Sequence, residues 1–197
     1  MIIDPEYQQQ LAIMHAQGQF VRGSKILASV QPFIEQYKPQ SLLDFGCGHG
    51  ALIASIQEAY PSMRVEGYDP GNPAHNSMPK RQFDAVISAD VFEHIEPQYL
   101  TQTLRLIGDK MTVCGWFRIA CYPAKKQLPD GRNAHLIVES PDWWREQLLN
   151  NINAKIVKED ILAIDKSHRW PAVKGWNYNV VVDRKSTRLN SSHSSVS

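Results

Sequence analysis

Nine residues, Leu42 to Gly50 (Leu-Leu-Asp-Phe-Gly-Cys-Gly-His-Gly), restrict the fold more than any other stretch of this 197-residue chain. An apolar run through Leu42 and Leu43 leads into Asp44, and glycines then fall at alternate positions, 46, 48 and 50. This pattern predicts a buried strand that turns sharply into a helix. Glycine at 46 and 48 permits positive φ and leaves no Cβ between the backbone and a ligand. After Gly50 the spacing of Leu52, Ile53, Ile56 and Ala59 covers one helical face. Strand, glycine turn and helix N-terminus together make a nucleotide-type cradle.

The spacing separates cofactor classes. A dinucleotide fingerprint reads Gly-x-Gly-x-x-Gly and sets a helix N-terminus against pyrophosphate, whereas here the third glycine comes one residue early and Asp44 precedes the first. A carboxylate there attracts a cationic ligand and repels pyrophosphate. S-adenosylmethionine carries a sulfonium and an ammonium group and no phosphate. Asp44-Phe45-Gly46-Cys47-Gly48-His49-Gly50 resembles the first motif of the class I S-adenosylmethionine-dependent methyltransferases.

Two further segments extend the resemblance, which runs from Ser41 to Ile95. Arg64-Val65-Glu66-Gly67-Tyr68-Asp69 alternates like a strand and ends in an acid 25 residues after Asp44, followed by Pro70 and Gly71. The family uses such an acid for the cofactor ribose, and Asp69 is the matching position. In the segment Phe83 to Ile95, Ala85 to Ser88 read as a strand buried on both faces, with Asp90-Val91-Phe92-Glu93-His94 as its polar exit. Ligands of parallel α/β sheets sit at that exit. The resemblance implies cofactor contacts from Asp44, Gly46, Cys47, Gly48 and Gly50, from Asp69 and Pro70, and from Asp90.

The acid-x-x-Glu-His segment is similar to that of small-molecule and quinone O-methyltransferases. It makes His94, with Glu93 and His135, the catalytic candidates; an imidazole titrates close enough to neutrality to take a hydroxyl proton. A second reading makes Asp90, Glu93, His94 and His135 ligands of a divalent metal that would bind the acceptor oxygens. That arrangement is similar to small-RNA 2′-O-methyltransferases, although these commonly have glutamate where this chain has Asp90. Adenine N-methylation is not expected, because the Asn/Asp-Pro-Pro-aromatic segment is replaced by Asp90-Val91-Phe92-Glu93. Cytosine-C5 chemistry needs a nucleophilic cysteine with its own motifs, and Cys121 lacks them.

The fold expected is α/β, a doubly wound, mostly parallel sheet with helices on both faces and an antiparallel last strand. Only fourteen residues separate Asp69 from Asp84, and four are Pro70, Gly71, Pro73 and Pro79, so the usual third strand should be reduced or absent. Pro70 and Met78 are then the adenine-contact candidates. Pro97 to Lys110 reads as a helix and Met111 to Cys121 as a strand. Ser140-Pro141-Asp142 starts another helix, and strands follow at Ala154 to Ile164 and Trp176 to Val182. Glu6 to Tyr37 is expected to be helical, either lying over the cofactor site, with Tyr7, His15 and Phe20 as lid residues, or packing against the sheet edge. One methyltransferase domain over residues 1–183 is expected. The Ser-rich segment 184–197 reads as a disordered, non-native tail.

Composition closes off other classes. A hydrophobic fraction of 43% supports a full core, and a formal net charge of +1 signals neither nucleic acid nor an anionic membrane. The three cysteines show no metal-ligand spacing and suit a reducing, cytoplasmic setting. The expected partner is a small-molecule or glycan hydroxyl acceptor. RNA stays open without a signal, DNA and membrane are not expected, and a nicotinamide-binding or non-catalytic Rossmann module is the competing reading.

Overall fold

A computed structural model describes residues 3–18, 26–165 and 174–185. Two helices, α1 (Pro5–Ala16) and α2 (Leu27–Tyr37), precede the first strand. There follow β1 (Ser41–Phe45), α3 (Ala51–Ala59), β2 (Arg64–Tyr68), β3 (Phe83–Ala89), α4 (Pro97–Lys110) and β4 (Met111–Cys121). The chain continues with α5 (Pro141–Asn151), β5 (Ala154–Asp165) and β6 (Lys174–Arg184). Phe20 and the rest of residues 19–25 lie outside the described residues.

The strands form one sheet in the order β2-β1-β3-β4-β6-β5. The first four run parallel, and β6 is antiparallel to both of its neighbours. Alternation along each strand sends successive side chains to opposite faces. Leu42 and Ile87 join α2 and α3 on one side, while Leu43 and Val86 join α4 and α5 on the other. The sheet is therefore covered on both faces, as a doubly wound order requires.

Local chemistry sets the helix boundaries. Pro97 opens α4, where its missing N–H costs no hydrogen bond, and Leu100, Leu104 and Ile107 form the buried stripe. Ser140 caps α5 by accepting from the Trp143 N–H at 3.2 Å, and Trp144 and Leu148 enter the core. Trp144 thus serves packing and does not wall the site.

No strand forms between β2 and β3. Asp69 to Gln82 is a loop pinned by turn bonds: Asn72 N–H to the Asp69 carbonyl (3.2 Å), His75 N–H to the Asn72 carbonyl (2.9 Å) and Asp69 N–H to the His75 carbonyl (3.0 Å). Met78 packs against the core cluster to which α4 and α5 contribute. At the other end β6 continues through Arg184, whose Nη1 donates to the Met111 carbonyl at 2.8 Å, and the Lys185 N–H bonds the Asn153 carbonyl at 3.1 Å. Arg184 therefore belongs to the sheet, and Lys185 is fastened directly beyond it, because their donors have partners on β4 and before β5. The remainder of the expected tail, 186–197, lies outside the described residues.

Leu104 is fully buried between α4 and the sheet. Leu104→Ala should lower the unfolding free energy by about 2–5 kcal/mol in chemical denaturation.

Candidate active site

The turn after β1 joins two strand ends. The N–H groups of Gly46 and Cys47 both donate to the Tyr68 carbonyl at the end of β2, at 2.7 and 3.2 Å. The Gly48 N–H donates to Asp69 Oδ2 at 2.9 Å, and Asn72 Nδ2 donates to the Gly48 carbonyl at 2.7 Å. Gly46 has φ 82° and Gly50, the N-cap of α3, has φ 77°. A Cβ on Gly46 would fall on the Val91 side chain, so glycine is demanded there by packing as well as by φ.

A cavity of about 350 Å³ opens at the carboxyl ends of the parallel strands. Asp44, Gly46, Cys47, Gly48, Asp69, Pro70, Asp90, Glu93, His94 and His135 all line it, as do Tyr7 and His15 of α1. Gly50 does not; it turns the chain into α3. Burial pushes the Asp44 carboxyl up to about 7, with the Asp69 charge adding to it. Burial would raise Asp69 too, but the His15 hydrogen bond and charge and the Gly48 and Gly71 N–H groups outweigh it and bring Asp69 below its ordinary value. The two acids at the cofactor turn thus start from opposite protonation tendencies. Burial also raises the Cys47 thiol, which makes it a packing group in the turn.

At the exit of β3 the chain makes a short 3-10 turn, Phe92–His94. Asp90 stands before it at φ 56°, a left-handed conformation that aspartate tolerates better than most residues. Its carboxylate is held in a two-pronged ion pair by Arg118 of β4, through Nε at 2.9 Å and Nη2 at 2.5 Å. Asp90, expected as a fourth metal ligand, is paired with Arg118 and lies outside the group of side chains that converge beside it. Arg118 carried a legible signal as the lone charge in the apolar run of β4.

Glu93, His94 and His135 do converge, with one potential ligand atom from each lying within 4.8 Å of the others. Glu93 is fully buried, and neither carboxylate oxygen has a hydrogen-bond partner among the described residues. Burial, with the Asp90 charge, pushes its carboxyl well above the usual range. His94 Nδ1 faces the Ala134 carbonyl at 2.6 Å and His135 Nδ1 faces the Tyr122 carbonyl at 2.5 Å. A carbonyl only accepts, so each Nδ1 carries the proton and each neutral ring keeps its lone pair on Nε2. The rings meet edge to face with centroids 4.8 Å apart. Burial, together with the His135 charge, lowers His94 to about 4, and burial lowers His135 as well.

This geometry, a glycine-turn cradle flanked by two acids and a polar exit one strand away, defines a nucleotide-cofactor α/β protein. Residues 19–158 match the family model described as a methyltransferase domain, and the chain belongs to that family. No curated protein matches the chain in sequence. Solved structures share its fold at low identity. The 1,6-didemethyltoxoflavin-N1-methyltransferase of Burkholderia thailandensis, bound to 1,6-didemethyltoxoflavin and S-adenosylhomocysteine, is 15% identical, covers 93% of this chain and 92% of that one, and has a TM-score of 0.66. The magnesium protoporphyrin IX methyltransferase of Synechocystis PCC 6803, with bound S-adenosylhomocysteine, is 13% identical over 91% and 97%, at a TM-score of 0.58. The methyltransferase domain of bacterial CtHen1-C is 12% identical over 83% and 98%, also at 0.58. Among the described residues, no helix is long and apolar enough to cross a membrane.

Gly46→Ala should cost about 1–3 kcal/mol of stability in urea unfolding, since alanine is strained at this φ and Val91 must move to admit its Cβ.

Proposed function

We propose that this methyltransferase uses S-adenosylmethionine and transfers its methyl group to a hydroxyl of a small molecule or glycan. The observation that carries the hydroxyl assignment is the Glu93–His94–His135 cluster, a buried unpartnered carboxylate facing two imidazoles whose Nε2 atoms hold lone pairs.

On the cofactor side, Asp69 is assigned to the ribose hydroxyls and Asp44 to the ammonium group. The Gly46–Gly48 backbone makes the close approach, and Pro70 borders the adenine end. Bound S-adenosylmethionine supplies an electrophilic methyl carbon. The chain's own work is to align an acceptor oxygen opposite the carbon–sulfur bond and to receive the proton that the hydroxyl loses.

For that second task the residues fit a divalent cation better than a lone histidine base. His94 at about 4 is neutral at pH 7, and its low proton affinity makes it a weak base. Neutral imidazoles with Nδ1 tied to backbone carbonyls are the usual presentation of metal-ligating histidines. Glu93, His94 and His135 would hold the ion. When bound, the cation lowers the pKa of a hydroxyl that ligates it and orients its oxygen. Asp90, through its ion pair with Arg118, shapes the turn that presents Glu93 and His94.

Calorimetry should show S-adenosylhomocysteine binding and no NAD binding; NAD alone binding would overturn the cofactor assignment. A cationic ammonium requires ionised Asp44, which is protonated in the free protein below pH 7. Affinity should therefore rise with pH, by up to about tenfold per unit, and level off above about 7. His135→Ala should abolish binding of Mg²⁺, Mn²⁺ or Co²⁺ while S-adenosylhomocysteine affinity stays unchanged; full metal binding by the variant would remove the metal role and return His94 to the part of base.

A further inference from the structure

Helix α1 is fastened to both halves of the site. Near its start, the Asp4 N–H donates to Glu96 Oε2 (3.0 Å) and the Tyr7 hydroxyl to the His94 carbonyl (2.7 Å), on the acceptor side. Further along, Gln8 Nε2 donates to the Pro70 carbonyl at 2.8 Å and His15 Nε2 lies 3.3 Å from Asp69 Oδ1, on the cofactor side. His15 is only 6% exposed, and its ring meets that of His49 in the glycine turn edge-on, with centroids 5.1 Å apart. Asp69 also accepts from the N–H groups of Gly48 and Gly71. Those two donors are backbone from the turns at the strand ends, whereas His15 comes from a separate helix.

Resting on the assignment of Asp69 to the ribose, we propose that His15 is a positioning residue for the cofactor. From α1 it holds the Asp69 carboxylate in place and couples closure of the helix to an occupied ribose site. A charge-assisted contact is worth roughly twice a neutral one. Without it Asp69 keeps two backbone donors, and α1 keeps its Gln8–Pro70 bond but loses its direct contact with the ribose acid. The helix lies close against the loop after Asp69: a Cβ on Gly71 would come within 2.7 Å of Leu11 Cβ and 2.9 Å of His15 Cδ2. His15 therefore acts through Asp69 and through the position of α1, and does not touch the reacting atoms.

The test uses the full chain and S-adenosylhomocysteine, with affinity from calorimetry and dissociation rate from stopped flow. His15→Ala should weaken binding about tenfold or more, mostly through faster dissociation. His15→Gln, whose amide nitrogen reaches nearly as far as Nε2, should recover most of the loss. Asp69→Asn should bind poorly, and the double variant should lose less than the sum of the two single losses. Gly71→Ala, which pushes α1 away while leaving His15 intact, should also speed dissociation. If His15→Ala binds as tightly as the unsubstituted chain or more tightly while Asp69→Asn is impaired, the positioning role fails and the ribose assignment stands. Additive losses, or unchanged dissociation in Gly71→Ala, would likewise overturn it. An unimpaired Asp69→Asn would remove the ribose assignment and this inference with it.

Discussion

Two backbone N–H groups, of Gly46 and Cys47, converge on one carbonyl, that of Tyr68, and most of the site depends on that junction. It ties the end of β1 to the end of β2 at the point where the chain must turn away from both. Asp44 is thereby held near the end of β1, two residues before Gly46, and Asp69 directly after β2. Buried carbonyls and N–H groups have to be paired, so this shared acceptor and the Gly48–Asp69 bond leave the turn little freedom. Asn72 adds a third tie by donating to the Gly48 carbonyl.

The missing third strand has a structural consequence. A loop of turns replaces the crossover after β2, so β2 becomes the edge of the sheet. The loop supplies Asn72 to the glycine turn and the Pro70 carbonyl to α1. Helix α1 then packs on that loop through Leu11 and His15. Short chains of this fold can thus surround a cofactor cavity with fewer elements, provided that the loop itself is hydrogen-bonded.

Burial decides the electrostatics more than charge count does. Asp44 and Glu93 are raised and His94 lowered, each by loss of solvent first and by neighbours second. Asp69 escapes because three donors meet its carboxylate. Asp90 is paired with a guanidinium and stands outside the cluster beside it.

The order of local signals made the fold legible. Glycines at 46, 48 and 50, a proline-opened α4 and a serine-capped α5 act over a few residues, and such short-range rules survive in the folded chain. The acids at 44 and 69 and the pair at 93 and 94 were legible for the same reason: strand ends place them. What no local rule carried was pairing across long separations. Arg118 reaches Asp90 from the neighbouring strand β4, His15 reaches Asp69 from a helix before the sheet, and Arg184 joins Met111 where composition had suggested a tail. The sequence alone determined the strand-turn-helix cradle and the residues at its rim, because φ freedom and hydrophobic period are properties of neighbouring residues. Only the tertiary structure decided which of those carboxylates and imidazoles face one another, because each contact depends on the packing of elements far apart in the chain.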